Sequence, residues 1–252
     1  MKNRFLIFVI LGILALTSLA CSVSGINVNF NNESVRGSGN LESETREVSG
    51  VTAVSLTAIG NLRIEYGDEE KLVIDAEDNL LPYITSEVRN GKLILGTQDG
   101  INITPTEKIS YLLVVTQELK ELSVSGLGNI EAPYLTTSRL DLNVSGAGDI
   151  ELDGLTADEL NVNISGLGSI FIDEGQIDIQ EIEISGSGKY EADDVESREA
   201  RIRIGGLGSA NVWVTDELDA GISGSGNIEY YGQPSVRQDI SGLGKLRSQG
   251  NH

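Results

Sequence analysis

Residues 121–130 read Glu-Leu-Ser-Val-Ser-Gly-Leu-Gly-Asn-Ile, residues 141–150 read Asp-Leu-Asn-Val-Ser-Gly-Ala-Gly-Asp-Ile, and residues 161–170 read Asn-Val-Asn-Ile-Ser-Gly-Leu-Gly-Ser-Ile. Three decapeptides in one register at a 20-residue step are a structural repeat. The central tetrapeptide continues as Ser185-Gly-Ser-Gly, Gly205-Gly-Leu-Gly, Ser223-Gly-Ser-Gly and Ser241-Gly-Leu-Gly. From Ser125 onward the seven copies are spaced by 20 residues four times and then by 18 twice.

The flanks carry the same period. One residue before each tetrapeptide stand Val124, Val144, Ile164, Ile184, Ile204, Ile222 and Ile240. Three before stand Leu122, Leu142, Val162, Ile182, Ile202, Ala220 and Gln238. Beyond it stand Ile130, Ile150, Ile170, Tyr190, Ala210, Ile228 and Leu246. Apolar residues at alternate positions mean strands with one buried face. The same alternation every 20 residues stacks each strand on its equivalent in the next repeat, running the same way. That is an all-β, parallel β-helix with rungs of about 20 residues. At roughly 4.8 Å per rung, seven rungs span about 30 Å.

The glycines are then corner residues. Positive φ is one reason for glycine at a corner, and crowding between stacked corners is another. The serines beside them would form a ladder able to hydrogen-bond along the corner. In the last copy Gln238 replaces an aliphatic residue, and Arg237, Asp239, Lys245 and Arg247 crowd the strands. Charge on an open sheet edge discourages further pairing, so residues 236–252 read as a polar cap on the regular rungs of 121–235.

Residues 35–120 are less regular. Strands are expected at 52–56, 62–66, 71–76 and 92–95, turns at Asp68-Glu-Glu and Asn90-Gly91, and an irregular or short helical excursion around Pro82. The segment is expected to continue the coil with longer, degenerate rungs; a separate small β domain is the alternative.

The N-terminus has the layout of an export signal. Lys2 and Arg4 precede an apolar run from Phe5 to Leu16, and Thr17 to Ala20 lead into Cys21, the lone cysteine of the chain. The run is shorter than the about 20 residues that a membrane span needs. The arrangement resembles a bacterial lipobox, with Leu19 and Ala20 in keeping and Ser18 departing from the usual aliphatic residue. It implies removal of residues 1–20, lipidation of Cys21, and a tether over 21–34. An ordinary secretory signal with a chance cysteine is the alternative. A single cysteine has no disulfide partner within the chain. Two or more acyl chains give firm anchoring where one gives only marginal binding. Such a protein faces outward in the cell envelope, in the outer membrane if the cell has one.

The chain carries a formal charge of −20, and loss of Lys2 and Arg4 takes it to −22. Such a surface repels nucleic acid and anionic headgroups. Thirty glycines and one tryptophan describe a turn-rich fold poor in aromatics.

The segment Gly60-Asn-Leu-Arg-Ile64, the Asn79-Leu80 and Gly91-Lys-Leu93 segments, and the Ser-Gly-x-Gly ladder together resemble the bacterial head GIN domain family of autotransporter adhesins, over roughly residues 45–235. That resemblance implies a right-handed single-stranded parallel β-helix on an exported protein, and it brings no catalytic residues. One departure stands out. An autotransporter needs a C-terminal membrane barrel, and this chain ends at His252 directly after the coil. Lipid on Cys21 would take the barrel's place as anchor.

Candidate chemistry is sparse. Glycine pairs that cradle phosphate lie between a strand and a helix, and no helix is expected here. The calcium-binding glycine-rich nonapeptide fails on repeat length, and its aspartate would fall on the inward Ile130, Ile150 and Ile170. An outward acidic ladder at Glu131, Glu151, Glu191 and Glu229 is interrupted by Phe171, which leaves Glu131, Asp149 and Glu151 as the candidate oxygen ligands for a cation. Polysaccharide hydrolysis or lysis would need paired carboxylates in a groove; Asp153, Asp158, Glu159, Asp173, Glu174, Asp193 and Asp194 are available. His252, the sole histidine, is the terminal residue and is expected to be disordered. Trp213 and Tyr231 should point outward and could stack on a sugar. No cofactor is implied. The reading is a non-enzymatic, lipid-anchored surface module that contacts the membrane through Cys21 and binds glycan or an envelope protein. A structural or regulatory envelope component and a polysaccharide-active enzyme are the alternatives.

Overall fold

The computed structural model describes residues 33–252. The signal segment, Cys21 and all but the last two residues of the 21–34 tether lie outside it. Among the described residues no helix is long and apolar enough to cross a membrane. They form one compact unit, Glu33–His252.

The first nine strands are β1 (Glu33–Arg36), β2 (Leu41–Arg46), β3 (Ala53–Leu56), β4 (Asn61–Tyr66), β5 (Lys71–Glu77), β6 (Ile84–Arg89), β7 (Lys92–Thr97), β8 (Ile101–Thr104) and β9 (Ser110–Val115). The regular part follows as β10 (Glu121–Val124), β11 (Ile130–Ala132), β12 (Leu135–Val144), β13 (Ile150–Leu152), β14 (Leu155–Ile164), β15 (Ile170–Ile172) and β16 (Gly175–Ile184). It ends with β17 (Lys189–Ile204), β18 (Ser209–Ile222), β19 (Asn227–Tyr231), β20 (Ser235–Ile240) and β21 (Lys245–Gly250).

From β10 onward every pairing is parallel. Leu122 faces Leu142, Val162 faces Ile182, and Ile130 faces Ile150. These inward residues are buried along the whole coil and form one continuous core. The fold is a parallel β-solenoid, and the reason is the alternation itself: a strand with apolar residues at every second position buries one face only when its neighbours carry theirs on the same side.

The corner glycines answer to crowding. None of the Ser-Gly-x-Gly glycines has positive φ. A Cβ built on Gly146 would overlap the carbonyl oxygen of Gly126 and lie 2.7 Å from the carbonyl carbon of Ser125. The same holds for Gly166 over Gly146. Rungs close to this distance because backbone joins backbone: Leu167 N donates to Gly146 O at 2.9 Å, and Ser187 N donates to Gly166 O at 3.0 Å. The hydrogen-bond ladder of the corner is therefore a main-chain one, and the serine side chains at 125, 145, 165 and 185 are exposed.

The period shortens from 20 to 18 at one place. The β17–β18 register slips between Ala192 and Glu196 and again between Ser197 and Glu199. Asp193 to Val195 are left without a partner in β18, a bulge of the kind that redirects side chains. Beneath it lies a buried polar chain. Tyr190 Oη donates to Gln180 Oε1 at 2.9 Å, Gln180 Nε2 donates to Ser197 Oγ at 2.7 Å, and Ser197 Oγ donates to Trp213 O at 2.7 Å.

Residues 35–120 stack on the regular rungs, but out of chain order. β3 and β4 pair in parallel with β10 and β11, and β7 and β9 pair in parallel with the far edges of β3 and β4. The rung formed by later residues is thus the outer one. The parallel coil then stops: β6 runs antiparallel on β7, β5 antiparallel on β9, and β2 antiparallel on β5. Asn90 and Gly91 turn the β6–β7 hairpin with φ of 52° and 79°, the pair of positive values that a type I′ turn needs. Leu81–Tyr83 is a single 3₁₀ turn. At the other end β20 and β21 add one more parallel rung on β18 and β19, and every residue of β20 is exposed.

Glu77 ties this end together. It is buried, and its carboxylate accepts from Gly39 N at 2.6 Å, Thr106 N at 2.9 Å and Thr106 Oγ1 at 2.5 Å. The Thr106 hydroxyl bond holds its pKa below the usual carboxylate value, burial opposes, and the backbone N–H groups of Thr106, Gly39 and Glu107 assist. With the folded pKa depressed, the unfolded chain takes up the proton first as pH falls. The contribution is complete above the unfolded value of about 4.3 and is lost below it. Glu77→Gln should lower the melting temperature at pH 7, and the gap to the parent chain should close as pH drops to about 3. A gap that does not vary with pH would show that the carboxylate's charge is immaterial there.

Candidate functional site

The outward residues of β10, β12, β14, β16 and β17 form a flat polar face. Two adjoining depressions run along it. The first, of about 610 Å³, is lined by Glu121, Asp141, Asn143, Asn161, Asn163, Glu181, Arg201 and their neighbours. The second, of about 430 Å³, shares Glu183 and Arg203 with it and continues over Gly221 to Asp239. A side chain on Gly221 would meet Arg203 Cδ at 2.8 Å, so the glycine lets the arginine lie flat across the sheet.

Stacking fixes these side chains. Asp141 and Asn161 are register partners, and Asn161 Nδ2 donates to Asp141 Oδ1 at 2.9 Å. Arg139 bridges to Glu159 at 2.8 Å, Lys92 bridges to Glu121 at 2.7 Å, and Arg201 pairs with Glu181. Arg203 Nη2 binds Asp219 Oδ2 at 2.8 Å. That hydrogen bond pushes the Asp219 carboxyl down, against its partial burial, and Arg237 and Arg201 add to the effect. Such a carboxylate stays ionised and is unsuited to donate a proton as a general acid. Asn143 and Asn163 stand in register between these pairs, each with an amide that offers both donors and an acceptor.

The acidic candidates meet on a different face. Glu131 and Glu151 are register partners, and with Asp153, Phe171 and Asp173 they line a depression of about 350 Å³. Burial, then Glu131, Asp149 and Asp173, push the Glu151 carboxyl up. Asp149 is engaged in the ladder, since its Oδ1 accepts from Ser169 N at 2.6 Å. Among the described residues no group of three His, Cys, Asp or Glu is arranged to hold a metal ion. Glu191 and Glu229 accept from Asn211 and Gln249 at 2.5 Å each. Glu159 pairs with Arg139, as above, Asp153 and Asp173 share the depression with Glu151, and Asp194 meets the His252 ring.

Trp213 and Tyr231 are register partners on β18 and β19. The terminal residue is ordered against them, contrary to expectation. The His252 ring stacks on Trp213 with centroids 4.2 Å apart, meets Tyr231 edge-on at 5.4 Å, and places Nε2 2.8 Å from Asp194 Oδ1 in the bulge. One face of the Trp213 ring is covered by the chain's own histidine. Sequence reasoning missed this because the stack joins residues 213 and 252 through a bulge with no local signature. It missed the polar groove because its residues are variable polar positions, which the repeat defines only as outward.

Parallel stacking, uncharged glycine corners and polar strand faces define a β-solenoid domain. Residues 50–234 match the family described as "Putative auto-transporter adhesin, head GIN domain", and the chain belongs to that family. Among solved structures it is similar to a protein described as a "putative adhesin" from Bacteroides fragilis NCTC 9343, at TM-score 0.79 and 23% identity over 85% of this chain and 99% of that one. Another "putative adhesin", from Parabacteroides distasonis ATCC 8503, aligns at TM-score 0.69 and 26% identity, covering 86% and 100%. A protein from the same organism, described as a "putative lipid binding protein", aligns at 0.70 and 24%, covering 86% and 99%. No curated protein matches the chain.

Proposed function

We propose that this chain is a non-enzymatic binding module of the cell envelope, tethered by lipid on Cys21, and that its polar strand groove takes up a glycan. The carrying observation is the groove itself, in which Asn143, Asn161 and Asn163 alternate with carboxylates and arginines already held by partners. Sugar hydroxyls are donors and acceptors at once, and a row of amides and fixed ion pairs meets them without rearrangement. Repetition at the rung spacing suits a polymer bound through many weak contacts. The adhesin description of the family agrees with a surface role.

A glycan array probed with the chain from Ser22 onward tests the reading. Binding should fall at least about fivefold in Asn143→Ala/Asn163→Ala, with an unchanged melting temperature, as expected when exposed hydrogen bonds worth about 1 kcal/mol are lost. No glycan bound, or equal binding by the variant, would remove the groove from the account. Mass spectrometry of protein from its native membrane should show an acylated N-terminal peptide beginning at Cys21. An unmodified N-terminus cleaved elsewhere would replace the tether with simple secretion.

A further inference from the structure

The third position of each corner tetrapeptide forms a column on the outside of the solenoid. From the regular rungs it reads Leu127, Ala147, Leu167, Ser187, Leu207, Ser225 and Leu243. The column is held in register, because from Ala147 onward each residue's N–H is tied to the glycine carbonyl of the rung before it. Ala147 N binds Gly126 O at 3.1 Å, Leu207 N binds Gly186 O at 3.0 Å, and Leu243 N binds Gly224 O at 2.9 Å. With rungs about 4.8 Å apart, leucines recur about every 9.6 Å and short side chains leave a notch between them.

The leucines take no part in the core. Leu127 is 67% exposed, Leu167 70%, Leu207 69% and Leu243 86%. The backbone ladder does not require them either, since serine makes the same bonds at 187 and 225. Single exposed apolar residues need no explanation, but an ordered apolar column marks an interaction surface. The strip is also free of charge: none of the Ser-Gly-x-Gly residues is ionisable, in a chain of net charge −20. Two copies meeting elsewhere would bring carboxylates together, whereas along this strip they approach without that repulsion.

We propose that this corner is a self-association edge, on which a second copy of the chain docks by interlocking leucines with notches. A two-fold axis across the column sets Leu167 against Ser187, Leu207 against Ala147, and Leu127 against Ser225 of the partner copy, each contact occurring twice. The alternation makes the edge complementary to itself, as an isologous interface must be. One corner is narrow, and it buries less than the about 800 Å² per partner of a standard interface, so a dissociation constant on the order of 100 µM is expected.

Sedimentation equilibrium of the chain from Ser22 onward, which contains the whole compact unit, tests this over about 10–500 µM. The weight-average mass should rise toward that of a dimer. Leu167→Ser/Leu207→Ser should weaken association at least tenfold with an unchanged thermal melt, since both side chains are exposed. The decisive variant is Ala147→Leu/Ser187→Leu/Ser225→Leu, which fills the notches and adds apolar surface. Interlocking predicts that it too associates at least tenfold more weakly. Stronger association in that variant would show a merely sticky ridge and overturn the proposal. So would a parent chain that stays monomeric at 500 µM, or one that is monomeric and floats with phosphatidylcholine vesicles, which would assign the edge to a bilayer.

Discussion

Gly166→Ala is expected to destabilise the fold by about 3 kcal/mol, the upper end of the usual cost of overpacking. The added methyl would overlap the Gly146 carbonyl oxygen and lie 2.7 Å from Ser145 backbone. The nearest atoms are all main chain of the rung before it, so nothing flexible can move aside. Relief requires lengthening the Leu167 N to Gly146 O bond and its counterparts, which opens the stack in the middle. In a solenoid each rung is stabilised mainly by its two neighbours, so the damage is not confined to one corner. Gly205 is the internal control. It occupies the serine position of the corner, its nearest atom to an added Cβ is Ser223 Oγ at 3.8 Å, and its φ is not positive. Gly205→Ala should therefore be neutral or stabilising by about 0.4–1 kcal/mol through the unfolded state. Urea unfolding of both variants decides the matter. Equal effects would mean that corner glycines serve backbone freedom and not close approach.

The second large effect is expected under the bulge. Tyr190, Gln180 and Ser197 are wholly buried, and their hydrogen bonds end on the Trp213 carbonyl. Position 180 is filled by Leu160 and Ala200 in the adjoining rungs, so a leucine fits there. Gln180→Leu alone strands the tyrosine hydroxyl in the core, and Tyr190→Phe alone strands the Gln180 carbonyl oxygen. Each should cost about 2 kcal/mol, the penalty for an unsatisfied buried polar group. The double variant leaves neither group stranded and should cost about 1–2 kcal/mol less than the sum. Additive losses in a double-mutant cycle would mean that the network is not coupled. Among the described residues no buried side-chain nitrogen or oxygen lacks a partner, which is why removing one member here is expensive.

Most of the regular coil was legible because its physical cause is local and repeated. The inward series Val124, Val144, Ile164, Ile184, Ile204 and Ile222 is buried throughout, and a period of two within a period of 20 admits few other arrangements. The reason for the corner glycines was legible only in part. Sequence offers freedom of φ and closeness as equal explanations, and the carbonyl of the rung below decides for closeness. Of the candidate site residues, Trp213 and Tyr231 do lie side by side, and His252 covers one face of the tryptophan. Glu131 and Glu151 do pair, while Asp149 is spent on the backbone of Ser169. The groove over Asn143, Asn161 and Asn163 had no signal beyond being outward.

What the sequence by itself determined is the rung: its length, its buried positions, its corners and its polar last copy. Each follows from alternation and from the special residues within about 20 positions of one another. What only the tertiary structure decided is the order of neighbours. β3 and β4 lie between β10 and β11 on one side and β7 and β9 on the other, and antiparallel strands close that end. Parallel register joins residues remote in the chain through backbone groups that every residue carries, so no side-chain pattern records which rung lies next. The exposed columns belong to the same category. A leucine at 127, 167 or 207 reads as an incidental surface residue until stacking sets it in line with the others.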